Sequence, residues 1–130
     1  MSDLLIDTSA LVAFEAGAAD IDALLPDPGA SIAIAAITLA ELEVGVELAS
    51  GRTRTRRRAF ADWVRDEIAV APYDASTALH HASLMAHCRR AGAMRGAHDL
   101  IIAATARATG RTIVTLDRRG FEDLPRVRVA

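Results

Sequence analysis

The chain has 130 residues, with 17 acidic against 15 basic side chains for a formal charge of −2, and 52% hydrophobic against 4% aromatic residues. That length supports one core built from aliphatics, and the composition excludes a disordered tail, a surface of stacked aromatics and a broad cationic coat for nucleic acid. A single cysteine, Cys88, excludes an internal disulfide and fits a reducing compartment, the cytoplasm by default.

The opening MSDLLIDTSALVAF lacks a basic n-region and carries Asp3 and Asp7, so neither a signal peptide nor a membrane span is expected. Short β-rich runs then alternate with longer helical ones, the rhythm of βαβ units. Leu4-Leu5-Ile6 is continuously apolar and ends at Asp7, as a strand covered on both faces does. A helix follows from about Ser9 to Leu25, broken near Gly17 and stopped by Pro26, Pro28 and Gly29. Ser31 to Ala36, rich in Ile and Ala, is the second strand. Thr38 then opens a helix to about Ser50, with Glu41 completing a capping box three residues on and Gly51 ending it.

Residues 52 to 67 form the next helix, with Phe60, Trp63, Val64 and Ile68 on one apolar stripe. Ala69 to Tyr73 is a third strand, Ala75 to Ala91 a helix with Gly92 at its C-cap, and His98 to Thr109 an Ala- and Ile-rich helix closed by Gly110. Thr112 to Leu116 is the clearest strand, followed by a turn at Arg118-Arg119-Gly120 and a last short edge strand at Val127 to Val129. The expectation is one α/β domain over 1–130, a mainly parallel sheet with helices on both faces and right-handed crossovers.

In such sheets ligands bind outside the carboxyl ends of the strands. Asp7 ends the first strand and Asp117 the TIVTL strand, while Glu41 and Asp99 fall in first helical turns that start near the same edge. Each acid also has a purely structural reading: Glu41 as half of a capping box, Asp99 as a helix-dipole partner, Asp117 as a turn residue, Asp7 as an N-cap. Four carboxylates at one edge repel one another unless a cation joins them. Oxygen-only ligands suit Mg²⁺ or Mn²⁺, and such a site points to phosphoryl chemistry.

LLIDTSALVA, TLAELEVG, HDLIIAATA and TIVTLDRRGFEDLP, in this order and spacing, resemble the PIN-domain ribonucleases, and within them the VapC-type toxins of bacterial toxin–antitoxin pairs. The resemblance spans nearly the whole chain and implies a three-layer α/β/α sandwich and Mg²⁺- or Mn²⁺-dependent cleavage of RNA. It also implies a cognate VapB-type antitoxin, laid in a groove near the active site, and a homodimer. The family's acidic quartet carries over onto Asp7, Glu41, Asp99 and Asp117, and its small hydroxyl positions onto Thr8 or Ser9 and Thr115.

Beside Asp117, Arg118 and Arg119 are candidate contacts for substrate phosphate. Arg52, Arg54, Arg56, Arg57 and Arg58 form either an RNA-guiding patch or a solvated helix start. His80, His81, His87 and Cys88 lack the spacing of a zinc site. Two rival functions remain to be weighed. Receiver and haloacid-dehalogenase-like phosphotransfer domains use a lysine, and all 15 basic residues here are arginine; the phosphatases also need an acid where this chain has Ser9. A catalytically silent PIN-like module that binds RNA or protein is the alternative, and metal binding discriminates it.

Overall fold

The computed structural model describes residues 3–18, 20–25 and 29–130. Among these, strands β1 (Asp3–Ile6), β2 (Ser31–Ala35), β3 (Ala69–Ala71) and β4 (Thr112–Val114) lie in the order β3-β2-β1-β4, and every pairing is parallel. Helices α1 (Thr8–Glu15) and α2 (Ile21–Leu24) join β1 to β2, α3 (Ala36–Leu48) and α4 (Gly51–Glu67) join β2 to β3, and α5 (Ala75–Ala91) and α6 (Ala97–Thr109) join β3 to β4.

Alternation along β1 sends Leu5 to one face of the sheet and Leu4 and Ile6 to the other, all fully buried. Leu5, Ala33, Ala35 and Ile113 pack against Leu84 and Cys88 of α5 and Ile102 and Ala103 of α6. Leu4, Ile6, Ile34 and Val114 pack against Leu11 of α1, Leu42 and Val46 of α3 and Val64 of α4. Two cores on one sheet make the three-layer α/β/α sandwich, and burial on both faces is why the strands are unbroken apolar runs.

The break expected near Gly17 is present: the first helix ends at Glu15, Gly17 takes φ +73°, the Gly17 and Ala18 amides turn back to the carbonyls of Phe14 and Ala13, and Asp20 caps a separate short α2. Other boundaries differ from the expected ones. The stop at Pro26 and Pro28 lies outside the described residues. β3 stops at Ala71, since Pro72 has no N–H to continue the ladder. The final strand reduces to one parallel bridge between Ile113 and Val129, held by Ile113 N to Arg128 O at 2.8 Å and Ala130 N to Ile113 O at 2.9 Å. Trp63 leaves the apolar stripe of α4. It is 44% exposed and stands against Phe14 and Phe60 with ring centroids 6.0 Å from each.

The largest correction concerns the capping box. Helix α3 begins at Ala36, directly on leaving β2, and its N-cap Ala35 offers no side-chain cap. Thr38 is therefore inside the first turn and fully buried, and Glu41 belongs to the second turn, on the same helix face. Glu41 caps nothing there.

Candidate functional site

From β1 the sheet is built outward through β2 to β3, and the chain then crosses back to lay β4 on the opposite side of β1. A parallel sheet that reverses in this way opens a crevice beyond the carboxyl ends of the two strands at the reversal. Asp7 follows β1 directly, and Asp117 stands three residues beyond β4.

Asp7 is only 4% exposed and caps α1: its Oδ1 accepts from the Ala10 amide at 3.0 Å and from the Ser9 hydroxyl at 2.8 Å. The Thr115 hydroxyl donates to Oδ2 and accepts from the Asp117 amide at 2.9 Å. The Leu116 amide donates to Ser9 Oγ at 3.2 Å. Hydroxyls at 9 and 115 thus bind the acid after β1 to the segment after β4. Thr115 lies one residue past the end of β4, which stops at Val114 short of the expected Leu116.

On the opposite wall, the Thr8 hydroxyl donates to Glu41 Oε1 at 2.8 Å and lies 3.2 Å from the buried Thr38 hydroxyl. His98 Nδ1 stands 3.4 Å from Glu41 Oε2. Asp99, in the first turn of α6, fits between two glycines. A Cβ at Gly120 would lie 2.7 Å from Asp99 Oδ2 and one at Gly96 3.2 Å from it, although neither glycine has a positive φ. Both are small because a carboxylate rests on them. Sequence reading missed this pair, whose only local signal is glycine at two positions where the backbone does not demand it.

Asp99 carries the electrostatic signature of the site. Its carboxyl is pushed above the ordinary carboxylate range, first by burial and then by repulsion from Asp7, Asp117 and Glu41, with His98 opposing. The four predicted acids therefore share one field. Because folding raises this pKa, the folded chain holds the proton more tightly than the unfolded one. That stabilisation is fully present below the ordinary carboxylate pKa and is lost as pH rises through the folded value. In metal-free protein, Asp99→Asn is expected to raise the melting temperature at neutral pH and to flatten its decline from acid pH. Calorimetry of both proteins across that range checks it, and a variant melting lower at neutral pH would contradict it.

Among the described residues no three His, Cys, Asp or Glu side chains already form a closed ligand cluster. The donors of the quartet are all oxygen, which suits Mg²⁺ or Mn²⁺: Mg²⁺ retains several waters and takes only one or two carboxylates directly.

The candidate phosphate contacts differ from each other. Arg118 donates from Nε to Glu122 Oε1 at 3.3 Å and from Nη1 to the Ala130 carbonyl. Arg119 is 93% exposed, with Nε 3.9 Å from Asp117 Oδ1. Of the arginines at the start of α4, Arg58 is bound to Glu43 and Asp62, and Arg57 donates to the Gly45 carbonyl at 3.0 Å. Arg56 and Arg57 line a groove of ≈ 610 Å³ between α1, α3 and α4 that reaches the quartet at Glu41 and is walled by Val12, Leu42 and Phe60. The His81 ring pairs with the Tyr73 hydroxyl at 2.9 Å, outside any metal cluster.

Comparison with known proteins follows the same lines. The PIN domain family model matches residues 4–127. Ribonuclease VapC5 of Mycobacterium tuberculosis is 37% identical over 86% of this chain and 81% of its own length. The tRNA(fMet)-specific endonuclease VapC of Salmonella typhimurium is 32% identical over 74% of this chain and 71% of its own. The VapBC-5 structure from Mycobacterium tuberculosis superimposes with TM-score 0.82 at 30% identity, covering 99% of this chain and 98% of that one. DNA-bound VapBC from Salmonella typhimurium superimposes with TM-score 0.85 at 26% identity, covering 100% and 98%.

Proposed function

The chain belongs to the PIN domain family, and from that premise we propose that it is a VapC-type toxin, an endoribonuclease that hydrolyses RNA phosphodiesters with Mg²⁺ or Mn²⁺. The observation that carries this reading is the placement of Asp7, Glu41 and Asp117 around the partly buried Asp99 at the sheet's point of reversal, beyond the carboxyl ends of β1 and β4. When bound, the divalent ion lowers the pKa of water, polarises the phosphoryl oxygens and neutralises developing charge.

Asp7, Asp99 and Asp117 are the residues that hold the ion, and Glu41 holds a second ion or orients the attacking water. Ser9, the Ala10 amide and Thr115 fix the plane of the Asp7 carboxylate, and Thr8 fixes that of Glu41. Arg119, exposed above Asp117, meets the substrate phosphate; Arg118 is held by Glu122 and the chain end and supports the turn. Water attacks phosphorus and the 3′-oxygen departs, leaving 5′-phosphate and 3′-hydroxyl ends.

A cognate VapB-type antitoxin restrains the enzyme. The groove between α1, α3 and α4 suits one of its segments: Val12, Leu42 and Phe60 offer apolar contact beside Arg56 and Arg57, and the groove opens onto Glu41, where a basic residue would meet the acid field. The protein acts in the cytoplasm as a homodimer; no helix among the described residues is long and apolar enough to cross a membrane.

The deciding experiment incubates purified protein with RNA in Mn²⁺, Mg²⁺ or EDTA and maps the new ends. Discrete metal-dependent cuts with 5′-phosphates are expected, and intact RNA with both ions would overturn the reading. In the same assay Arg119→Ala should weaken RNA binding and lower the slope of log affinity against log salt by about 1, as loss of one phosphate contact does, while Arg118→Ala changes the slope less. Equal slopes for wild type and Arg119→Ala would remove Arg119 from the phosphate site.

A further inference from the structure

The turn that carries Asp117 and the loop that leads to Asp99 are separate pieces of chain, and one side chain joins them. Arg95, in the loop between α5 and α6, donates from Nη1 to the Arg119 carbonyl at 2.9 Å and from Nη2 to the Glu122 carbonyl at 2.7 Å. Those carbonyls lie on either side of Gly120, whose Cα is the seat of the Asp99 carboxylate. The 3-10 turn at Arg118–Gly120 also holds to its surroundings through the buried Phe121, the bond from the Asp117 amide to the Thr115 hydroxyl and the Arg118 contact with the Ala130 carbonyl. Arg95 and Gly120 thus form a clamp: the planar fork draws the turn against the loop, and the missing side chain lets Asp99 close onto it.

We propose that Arg95 and Gly120 are positioning residues that set the spacing of Asp99 and Asp117 and so the affinity for the divalent ion; this rests on the metal-dependent reading above. Geometry and charge predict opposite signs for the loss of Arg95. Removing a positive charge beside an acidic cation site should tighten cation binding, whereas loosening the clamp should weaken it. A lysine keeps the charge but cannot reproduce the two-pronged donation.

The test is Mn²⁺ calorimetry on wild type, Arg95→Ala, Arg95→Lys and Gly120→Ala, with melting of the metal-free proteins recorded alongside. Supporting groups around metal ligands typically affect affinity 10- to 100-fold, so the dissociation constant for Mn²⁺ should rise about tenfold in Arg95→Ala and in Gly120→Ala, with Arg95→Lys between them and wild type. Metal-free melting should stay close to wild type, and cleavage should largely recover at saturating Mn²⁺. If Arg95→Ala does not fold, Arg95→Lys and Gly120→Ala carry the comparison. Uptake as tight as wild type or tighter in the variants overturns the clamp while leaving the metal reading intact. No uptake by wild type overturns both.

Discussion

Asp7→Asn is expected to abolish RNA cleavage, a loss of a thousandfold or more, while the chain stays folded. The two halves of that expectation have separate causes. Asn is as good an N-cap as Asp, and its amide oxygen keeps the Ala10 and Ser9 bonds now made by Oδ1. Its amide nitrogen takes the place of Oδ2 and donates to Thr115 Oγ1 instead of accepting from it, so the hydroxyl has only to turn. The charge, however, is gone from the most buried acid of the quartet. Metal ions contribute several kcal/mol of transition-state stabilisation, and a thousandfold rate change corresponds to about 4 kcal/mol. Circular dichroism and melting should match wild type, Mn²⁺ uptake should collapse, and mapped RNA ends should vanish. A folded variant that cuts at the wild-type rate would remove Asp7 from the chemistry.

Phe121→Ala should give the largest loss of stability among single substitutions near the site. Phe121 is the bulkiest of the fully buried side chains, shares a core with Leu84, Leu100, Ile102 and Leu124, and directly follows Gly120. Truncating a buried Phe typically costs about 3–5 kcal/mol through lost transfer energy and the cavity left behind. Domains are commonly stable by only about 5–15 kcal/mol, so a large part of the folding free energy would go. The midpoint of urea unfolding should drop sharply, and Phe121→Leu, which refills most of the volume, should drop far less. A midpoint shift equivalent to under about 1 kcal/mol in Phe121→Ala would show that the turn is not anchored by this ring.

The acid quartet was legible because each member stands next to a strong local signal. Asp7 and Asp117 follow apolar β-forming runs, and Glu41 and Asp99 fall early in helices of clear period. Strand positions were legible for a related reason, since burial on both faces leaves no polar interruption. Thr38 and Glu41 misled because a capping box and two neighbours on one helix face have the same three-residue spacing. Only the absence of a loop between Ala35 and Ala36 separates those readings, and that is set by how β2 meets the core. Arg95, Gly96 and Gly120 were not legible as site residues. Their roles come from contacts made when distant segments meet, and nothing in their own neighbourhoods encodes those contacts.

The strand order bears on how the molecule is made. β1 leaves the ribosome before the other strands, yet one of its two neighbours is β4, the last of the four to emerge. Until that late partner arrives, β1 has an open flank and Asp7 lacks both Thr115 and the company of Asp117. A nascent chain short of Thr112 therefore holds three of the carboxylates and a β1 paired on one flank only, so the acidic pocket is completed by the last strand of the sheet to emerge.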